Sequence, residues 1–279
     1  MSASPALLLS LYCVAIAAFS LLGGWLPSRV RMTHNRTQLI MSFVSGLMLG
    51  VAFYHLLPHS MALLGGPHAA DTAVWWLMIG LVGMLLLLRL FHFHQHDFSH
   101  EEYQHHDHHH AHAAVHGLSW VGIALGLGVH TLIDGAALGA MMQGEGSASA
   151  AGLLGVGVFL AILLHKPLDA MSIVAVMKAG GWSLAARRRA NLLFALMCPL
   201  GALLFYFGVD LLGTSRDHGV AVVLAFAAGA FICIALSDLL PEVHFHSHDR
   251  GKLTLAFIAG IVLAYGIGSL EPAGAHLAH

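Results

Sequence analysis

The chain alternates between long apolar runs and short polar breaks from one end to the other. Eight runs reach the roughly 20 residues that an α-helix needs to cross the hydrocarbon core of a bilayer. They lie near residues 5–26, 38–58, 72–91, 118–142, 151–177, 189–212, 219–240 and 253–271. Because a backbone in lipid must satisfy its own hydrogen bonds, such runs predict helices. The pattern predicts an all-α integral membrane protein, an eight-transmembrane-helix bundle.

Composition supports this assignment. Hydrophobic residues make up 58% of the 279 residues and charged residues only 9%, whereas soluble domains carry about a quarter charged residues. The first run has no basic residue before it and is longer than the apolar part of a signal peptide, so we expect an uncleaved helix. Residues 1–279 are therefore predicted to form one membrane domain, with lipid and not nucleic acid around it.

The basic residues predict the orientation of the helices. With the N-terminus outside, the outer segments carry only Arg216, and Lys166 lies within a span. The other ten fall in cytoplasmic segments: Arg29, Arg31, Arg36, Arg89, Lys178, Arg187, Arg188, Arg189, Arg250 and Lys252. Lys and Arg concentrate on the cytoplasmic side of membrane proteins. We expect a multi-pass protein of the cell membrane with both termini outside.

The segment at about 92–117 is rich in histidine and would be cytoplasmic. It contains His92, His94, His96, His100, His105, His106, His108, His109, His110, His112 and His116. Such a composition cannot build a core, so we expect a loop that buffers or senses metal. The alternative is a solvated segment without function.

Two short stretches carry the strongest chemical signal. His130 and Asp134 lie four residues apart in the fourth predicted helix, and His165 and Asp169 have the same spacing in the fifth. Positions i and i+4 share one helix face. Two such helices face to face supply two nitrogens and two oxygens, a tetrahedral set that suits zinc. The alternative is a pair of structural His–Asp hydrogen bonds without metal.

Lys166 lies at mid-membrane beside these residues. An ammonium there requires a negative partner, and Asp134 and Asp169 are the obvious ones. We predict that Lys166 fills what would otherwise be a second metal position. The alternative is that its side chain extends into a water-filled vestibule and only tunes affinity.

A second pair of stretches predicts an internal repeat. His55-Leu-Leu-Pro58-His59 ends the second predicted helix, and Asp238-Leu-Leu-Pro241-Glu242 ends the seventh. These helices have opposite orientation, as do the fourth and fifth, which is typical of an inverted repeat. We expect the metal to enter near two outer histidines and to leave past five inner residues. The entrance residues are His55 and His59, and the exit residues are Asp238, Glu242, His244, His246 and His248.

Taken together, these motifs resemble the ZIP family of divalent-metal transporters over nearly the whole chain. The matching parts are the eight-helix plan, the histidine-rich loop, His130-Thr-Leu-Ile-Asp134-Gly, His165-Lys-Pro-Leu-Asp169 and Asp238-Leu-Leu-Pro-Glu242. The resemblance implies uptake of zinc, or of cadmium, iron or manganese, into the cytosol by alternating access. It also implies a homodimer, and metal as cargo with no catalytic cofactor.

The chain departs from the family pattern at the site itself. Thr131 follows His130 where asparagine is common, and Lys166 follows His165 where an acidic residue is common. The later carboxylate is Asp169 and not glutamate. Each change removes a ligand from a two-metal version of the site, so we expect a single-metal site.

Two other functions are alternatives to transport into the cytosol. An exporter of the cation diffusion facilitator type also uses His-x-x-x-Asp pairs, but resembles six helices followed by a folded cytosolic domain. A membrane-embedded zinc hydrolase needs an open ligand position and a general base, and the sequence contains no His-Glu-x-x-His motif. We therefore expect a transporter and not an enzyme; the direction of transport rests on the resemblance.

Overall fold

The structure is a computed structural model that describes residues 4–25, 34–92, 113–144, 155–245 and 250–268. These residues are helical, with no strand among them. In chain order they form α1 (Pro5–Trp25), α2 (His34–Val51), α3 (Leu57–Leu64), α4 (Ala69–His92), α5 (Ala113–Gly144), α6 (Val156–Ala179), α7 (Leu184–Gly208), α8 (Arg216–Phe245) and α9 (Arg250–Gly268). The all-α prediction is confirmed.

Seven described stretches are long and apolar enough to cross a membrane. Six of them each correspond to one predicted span. One of these six, Asn35–Leu64, includes both α2 and α3. The seventh, Leu184–Ser237, is 54 residues long and contains α7, a 3₁₀ turn at Val209–Ser215 and most of α8. The chain is thus a multi-pass membrane protein.

Two predicted boundaries are wrong. The helix expected to end at Pro58 continues to Leu64, after a π-helical turn at Ala52–Leu56. Pro58 lies in the first turn of α3, where a missing N–H is tolerated. Residues 113–117, expected to end the loop at about 92–117, are instead helical: α5 begins at Ala113 with two alanines, the best helix formers. Residues 93–112 lie outside the described residues.

Glycines hold the outer helices against their neighbours. A Cβ added at Gly46 of α2 would meet the carbonyl of Phe257 in α9, and one at Gly260 would meet the carbonyl of Phe43. The α4–α8 pair repeats the arrangement: Gly229 faces the Leu77 carbonyl, and Gly80 faces that of Phe226. Without side chains at these points, helix backbones approach closely in lipid.

Glycine–backbone contacts also position α5 and α6. Gly135 of α5 lies against the Cys198 carbonyl of α7, and Gly201 of α7 lies against the Leu132 carbonyl. Gly23 of α1 packs on the backbone of Pro167, and α6 runs through that proline without ending. Helices α1 and α7 therefore support α6 and α5 at the residues that carry the paired histidines and aspartates.

Candidate metal centre

The predicted ligands meet at one point between α5 and α6. One ligand atom from each of His130, Asp134, His165 and Asp169 lies within 4.8 Å of the other three. His130, Asp134 and His165 are buried, whereas Asp169 is 18% exposed. The i, i+4 spacing on each helix delivers one nitrogen and one oxygen in the same direction, as the sequence predicts.

The nitrogen–oxygen distances match a tetrahedral metal site. His130 Nε2 lies 3.3 Å from Asp134 Oδ2 and 3.6 Å from Asp169 Oδ2. His165 Nε2 lies 3.1 Å and 3.8 Å from the same two oxygens. Two ligands that each lie about 2.0–2.1 Å from a tetrahedral zinc are about 3.3 Å apart. The four nitrogen–oxygen distances are therefore within about 0.5 Å of the separation in such a site.

Hydrogen bonds orient the His165 ring toward this point. Its Nδ1 lies 2.7 Å from the carbonyl oxygen of Ala161, one turn earlier in α6. A carbonyl only accepts, so Nδ1 carries the proton, and Nε2 of the neutral ring presents a lone pair. The other ring nitrogen, Nε2, lies 3.1 Å from the carboxylate oxygen Oδ2 of Asp134 and is the atom that can bind a metal. A histidine whose other nitrogen is fixed in this way is typical of metal ligation.

Several atoms of the cluster have no hydrogen bond within the described part of the chain. They are Nδ1 and Nε2 of His130 and Oδ1 of Asp134, all of them buried. Buried polar atoms are normally paired. The purely structural alternative needs His130 Nε2 to bond one of the aspartate oxygens, which lie 3.3 and 3.6 Å away, whereas a metal ion would satisfy this nitrogen directly.

Lys166 is part of the same cluster. Its Nζ lies 2.5 Å from Asp134 Oδ2, 3.0 Å from Asp169 Oδ2 and 3.0 Å from Thr131 Oγ1. The hydroxyl of Thr131 in turn donates to the carbonyl of Leu127. The ammonium thus has three oxygen acceptors for its three N–H donors. Its side chain is only 1% exposed, which favours the buried counter-cation over the side chain in a vestibule.

Two aromatic residues contact the cluster, and nothing in the sequence predicts them. The Phe194 ring of α7 lies 5.5 Å from Lys166 Nζ, and the Phe231 ring of α8 meets His165 edge-on at 6.2 Å. Both side chains are buried. Their positions in sequence carry no signal of this role, because phenylalanine is ordinary in apolar helices.

The predicted entrance residues occupy the π-helical turn and the start of α3. His55 is fully buried, and its Nε2 lies 2.7 Å from the carbonyl of Ala264 in α9. His59 is half-buried, and its Nδ1 lies 3.2 Å from the carbonyl of His55. The predicted exit residues are not characterised: His246 and His248 lie outside the described residues, as do the side chains of Asp238, Glu242 and His244.

Comparison with protein families agrees with this geometry. The family model described as ZIP zinc transporter matches residues 6–122 and 92–269, which is nearly the whole chain. Comparison with individual curated proteins finds no matching relative. The family match covers every helix described above and both halves of the His/Asp cluster. The chain belongs to the ZIP zinc transporter family.

Proposed function

We propose that the protein carries a divalent transition metal, preferentially zinc, into the cytosol. The metal passes through a single site formed by His130, Asp134, His165 and Asp169. The observation that carries the proposal is the buried convergence of two nitrogens and two oxygens between α5 and α6. The family is one of metal transporters, which supports transport over catalysis. It gives no support to an exporter of the cation diffusion facilitator type or to a membrane hydrolase.

We propose that Lys166 replaces a second metal ion. With both carboxylates ionised and both histidines neutral, the four ligands carry two negative charges. Lys166 lowers the total to one, and a bound dication leaves the cluster with one positive charge. A second dication would raise the charge to three in a buried site, which is electrostatically unfavourable. The contacts of Lys166 with both aspartates support this arrangement.

The proposed topology has eight spans and both termini outside, in the cell membrane. A 54-residue stretch is about 80 Å long as a helix, against a hydrocarbon core of about 30 Å, so Leu184–Ser237 is long enough to cross twice. Gly213, with a φ of 56°, interrupts helical geometry between α7 and α8. The turn would lie outside, because the basic residues at the start of α7 favour the cytoplasm.

The glycine contacts support the proposed inverted repeat. Gly46 and Gly229 are 183 positions apart and make equivalent contacts, with α9 and α4 respectively. His55 and Asp238, which begin the two matched stretches, are also 183 positions apart. Two independent features therefore align α2–α3 with α8 in the same register.

The helices that carry the ligands repeat the pattern. His130 and His165 are 35 positions apart, and so are Leu132 and Pro167. Gly201 of α7 packs against the backbone of Leu132, and Gly23 of α1 packs against that of Pro167. The pairs α5–α7 and α6–α1 are thus equivalent, which supports a repeat that relates α1 to α7 and α5 to α6.

The exposure of the ligands supports a state that is open toward the cytosol. Asp169 is the most exposed ligand and lies one turn nearer than His165 to the end of α6 that carries Lys178. Toward the opposite end of the same two helices, Met141, Met142 and Ile162 are fully buried. We propose that α2 and α3 must move for metal to enter past His55 and His59, since His55 is now buried against α9.

The proposed exit runs past Asp238 and Glu242 to His244, His246, His248 and the histidine-rich loop. A homodimer is proposed from the family resemblance alone.

The experiment that tests the function is metal uptake by reconstituted vesicles with zinc, cadmium, iron and manganese. Asp134→Ala and His165→Ala should each reduce zinc flux by at least about tenfold, the loss that even an outer-shell partner's removal can cause. Asp71→Ala is the matched control, because this carboxylate lies exposed at the start of α4. Zinc flux that survives both site substitutions would contradict the assignment.

A further inference from the structure

A cavity of about 610 Å³ opens where the C-terminal ends of α1 and α6 meet the N-terminal end of α7. Its walls carry three cations, Lys178 from α6 and Arg187 and Arg188 from α7. No acidic residue is found among the described residues that line it. The described lining of the cavity is therefore a concentration of positive charge without an acidic partner.

One of these cations has an unsatisfied donor. The Nε of Arg187 is buried and makes no hydrogen bond with any described residue. A buried N–H without an acceptor is unfavourable, so a shift of the Arg187 side chain that brings this atom to an incoming oxygen is favoured. Arginine presents its donors in a planar fork that matches phosphate oxygens. The positive end of the α7 dipole, in the turn that begins at Leu184, favours an anion at the same place.

The remaining walls are apolar. Trp25, Val174, Ala175 and Leu184 line the cavity beside the cations, and Trp25 and Leu184 are largely exposed. Tryptophan at a helix end is typical of the membrane–water interface. A ligand that fits these walls has an anionic head and an apolar body. Basic pockets between membrane helices on the cytoplasmic side bind lipid headgroups of this kind.

We propose that this cavity binds an anionic phospholipid of the cytoplasmic leaflet through its phosphate. Lys178, Arg187 and Arg188 hold the phosphate oxygens, and the acyl chains lie along the apolar wall that includes Trp25 and Leu184. Bound lipid ties the ends of α1 and α6 to the start of α7, next to the helices that carry the metal ligands. The site is separate from the metal centre and does not depend on the transported ion.

Lipid retention by the full chain tests the proposal. The protein is placed in nanodiscs of phosphatidylglycerol and phosphatidylcholine mixtures, extracted, and examined by native mass spectrometry for bound lipid. Wild type should retain phosphatidylglycerol in preference to phosphatidylcholine. The Arg187→Gln/Arg188→Gln variant should bind phosphatidylglycerol roughly 25-fold more weakly, since each interfacial cation contributes about fivefold.

Arg189→Gln is the matched control, because Arg189 lines a different and mostly apolar cavity with Leu125 and Phe194. It should retain phosphatidylglycerol as wild type does. A second variant, Lys178→Gln/Arg188→Gln, gives the same test if the first does not fold. Equal retention by all variants would overturn the proposal. Displacement of the lipid by millimolar inorganic phosphate would assign the site to a soluble phosphate anion and overturn the lipid.

Discussion

At the scale of single residues, the central feature is a buried lysine among the proposed metal ligands. Lys166 shares the two carboxylate oxygens that also face the histidine nitrogens. Breaking a buried ion pair by removing one partner leaves an uncompensated charge, at a cost of about 3–5 kcal/mol. The lysine therefore stabilises the two aspartates when no metal is bound and limits how much further positive charge the cluster accepts.

This role leads to a prediction about stoichiometry. Lys166→Glu replaces a cation with a carboxylate next to both aspartates, so the cluster should accept a second divalent ion. We expect the bound zinc to rise from one to two ions per chain, measured by equilibrium dialysis and elemental analysis of the purified protein. Lys252→Glu, at the start of α9, serves as the charge-matched control. If stoichiometry and metal selectivity both remain those of wild type, Lys166 does not occupy a second metal position.

At the scale of helices, the site depends on how closely α5 approaches α7. Gly135 lies one residue after the ligand Asp134, and a side chain there would collide with backbone atoms of Cys198 and Ala202. A backbone neighbour cannot rotate away as a flexible side chain can. The position of His130 and Asp134 is thus fixed by a contact about 100° around α5 from Asp134.

We predict that Gly135→Val destabilises the protein by about 1–3 kcal/mol, the usual cost of overpacking, and that zinc flux falls with it. Thermal unfolding of the detergent-solubilised protein gives the first quantity, and vesicle uptake gives the second. Gly128→Val is the matched control on the same helix, because an added Cβ there has no atom within 4 Å. Equal unfolding temperatures for the two variants would show that the α5–α7 contact is not tight.

At the scale of the whole molecule, pairs of helices are arranged in equivalent ways on the two sides of the metal cluster. Glycine contacts relate α2 with α9 to α8 with α4, and α6 with α1 to α5 with α7. The proposed inverted repeat would alternate its open side by exchanging the conformations of its two halves. In the structure described here, Asp169 is the most exposed of the four proposed ligands.

The topology gives a prediction that labelling can check. Leu211 lies in the turn between α7 and α8 and is 89% exposed. The Leu211→Cys variant should therefore react with an impermeant maleimide from outside the cell. Arg188→Cys should react only after the membrane is opened. The native Cys13, Cys198 and Cys233 are buried, so they should add little background. Protection of Leu211→Cys on both sides would place this turn inside the bilayer and contradict the eight-span arrangement.

The sequence alone determined the features that depend on neighbours along the chain. Apolar runs identified the membrane helices, and the spacing of His130 with Asp134 and of His165 with Asp169 put each pair on one face, because the period of a helix is fixed by its geometry. The prediction of the His/Asp cluster and of a lysine paired with its aspartates followed from the cost of placing ionisable groups in lipid.

Only the tertiary structure decided which of these faces meet. The rotation and approach of the helices place α5 beside α6 and His55 against Ala264. They also bring Lys166 to Thr131 as well as to both aspartates. The cavity at Arg187 likewise brings the end of α1 to the connection between α6 and α7, which is far from it in sequence. Local periodicity carries no information about such contacts, because glycine–backbone packing between distant segments selects them.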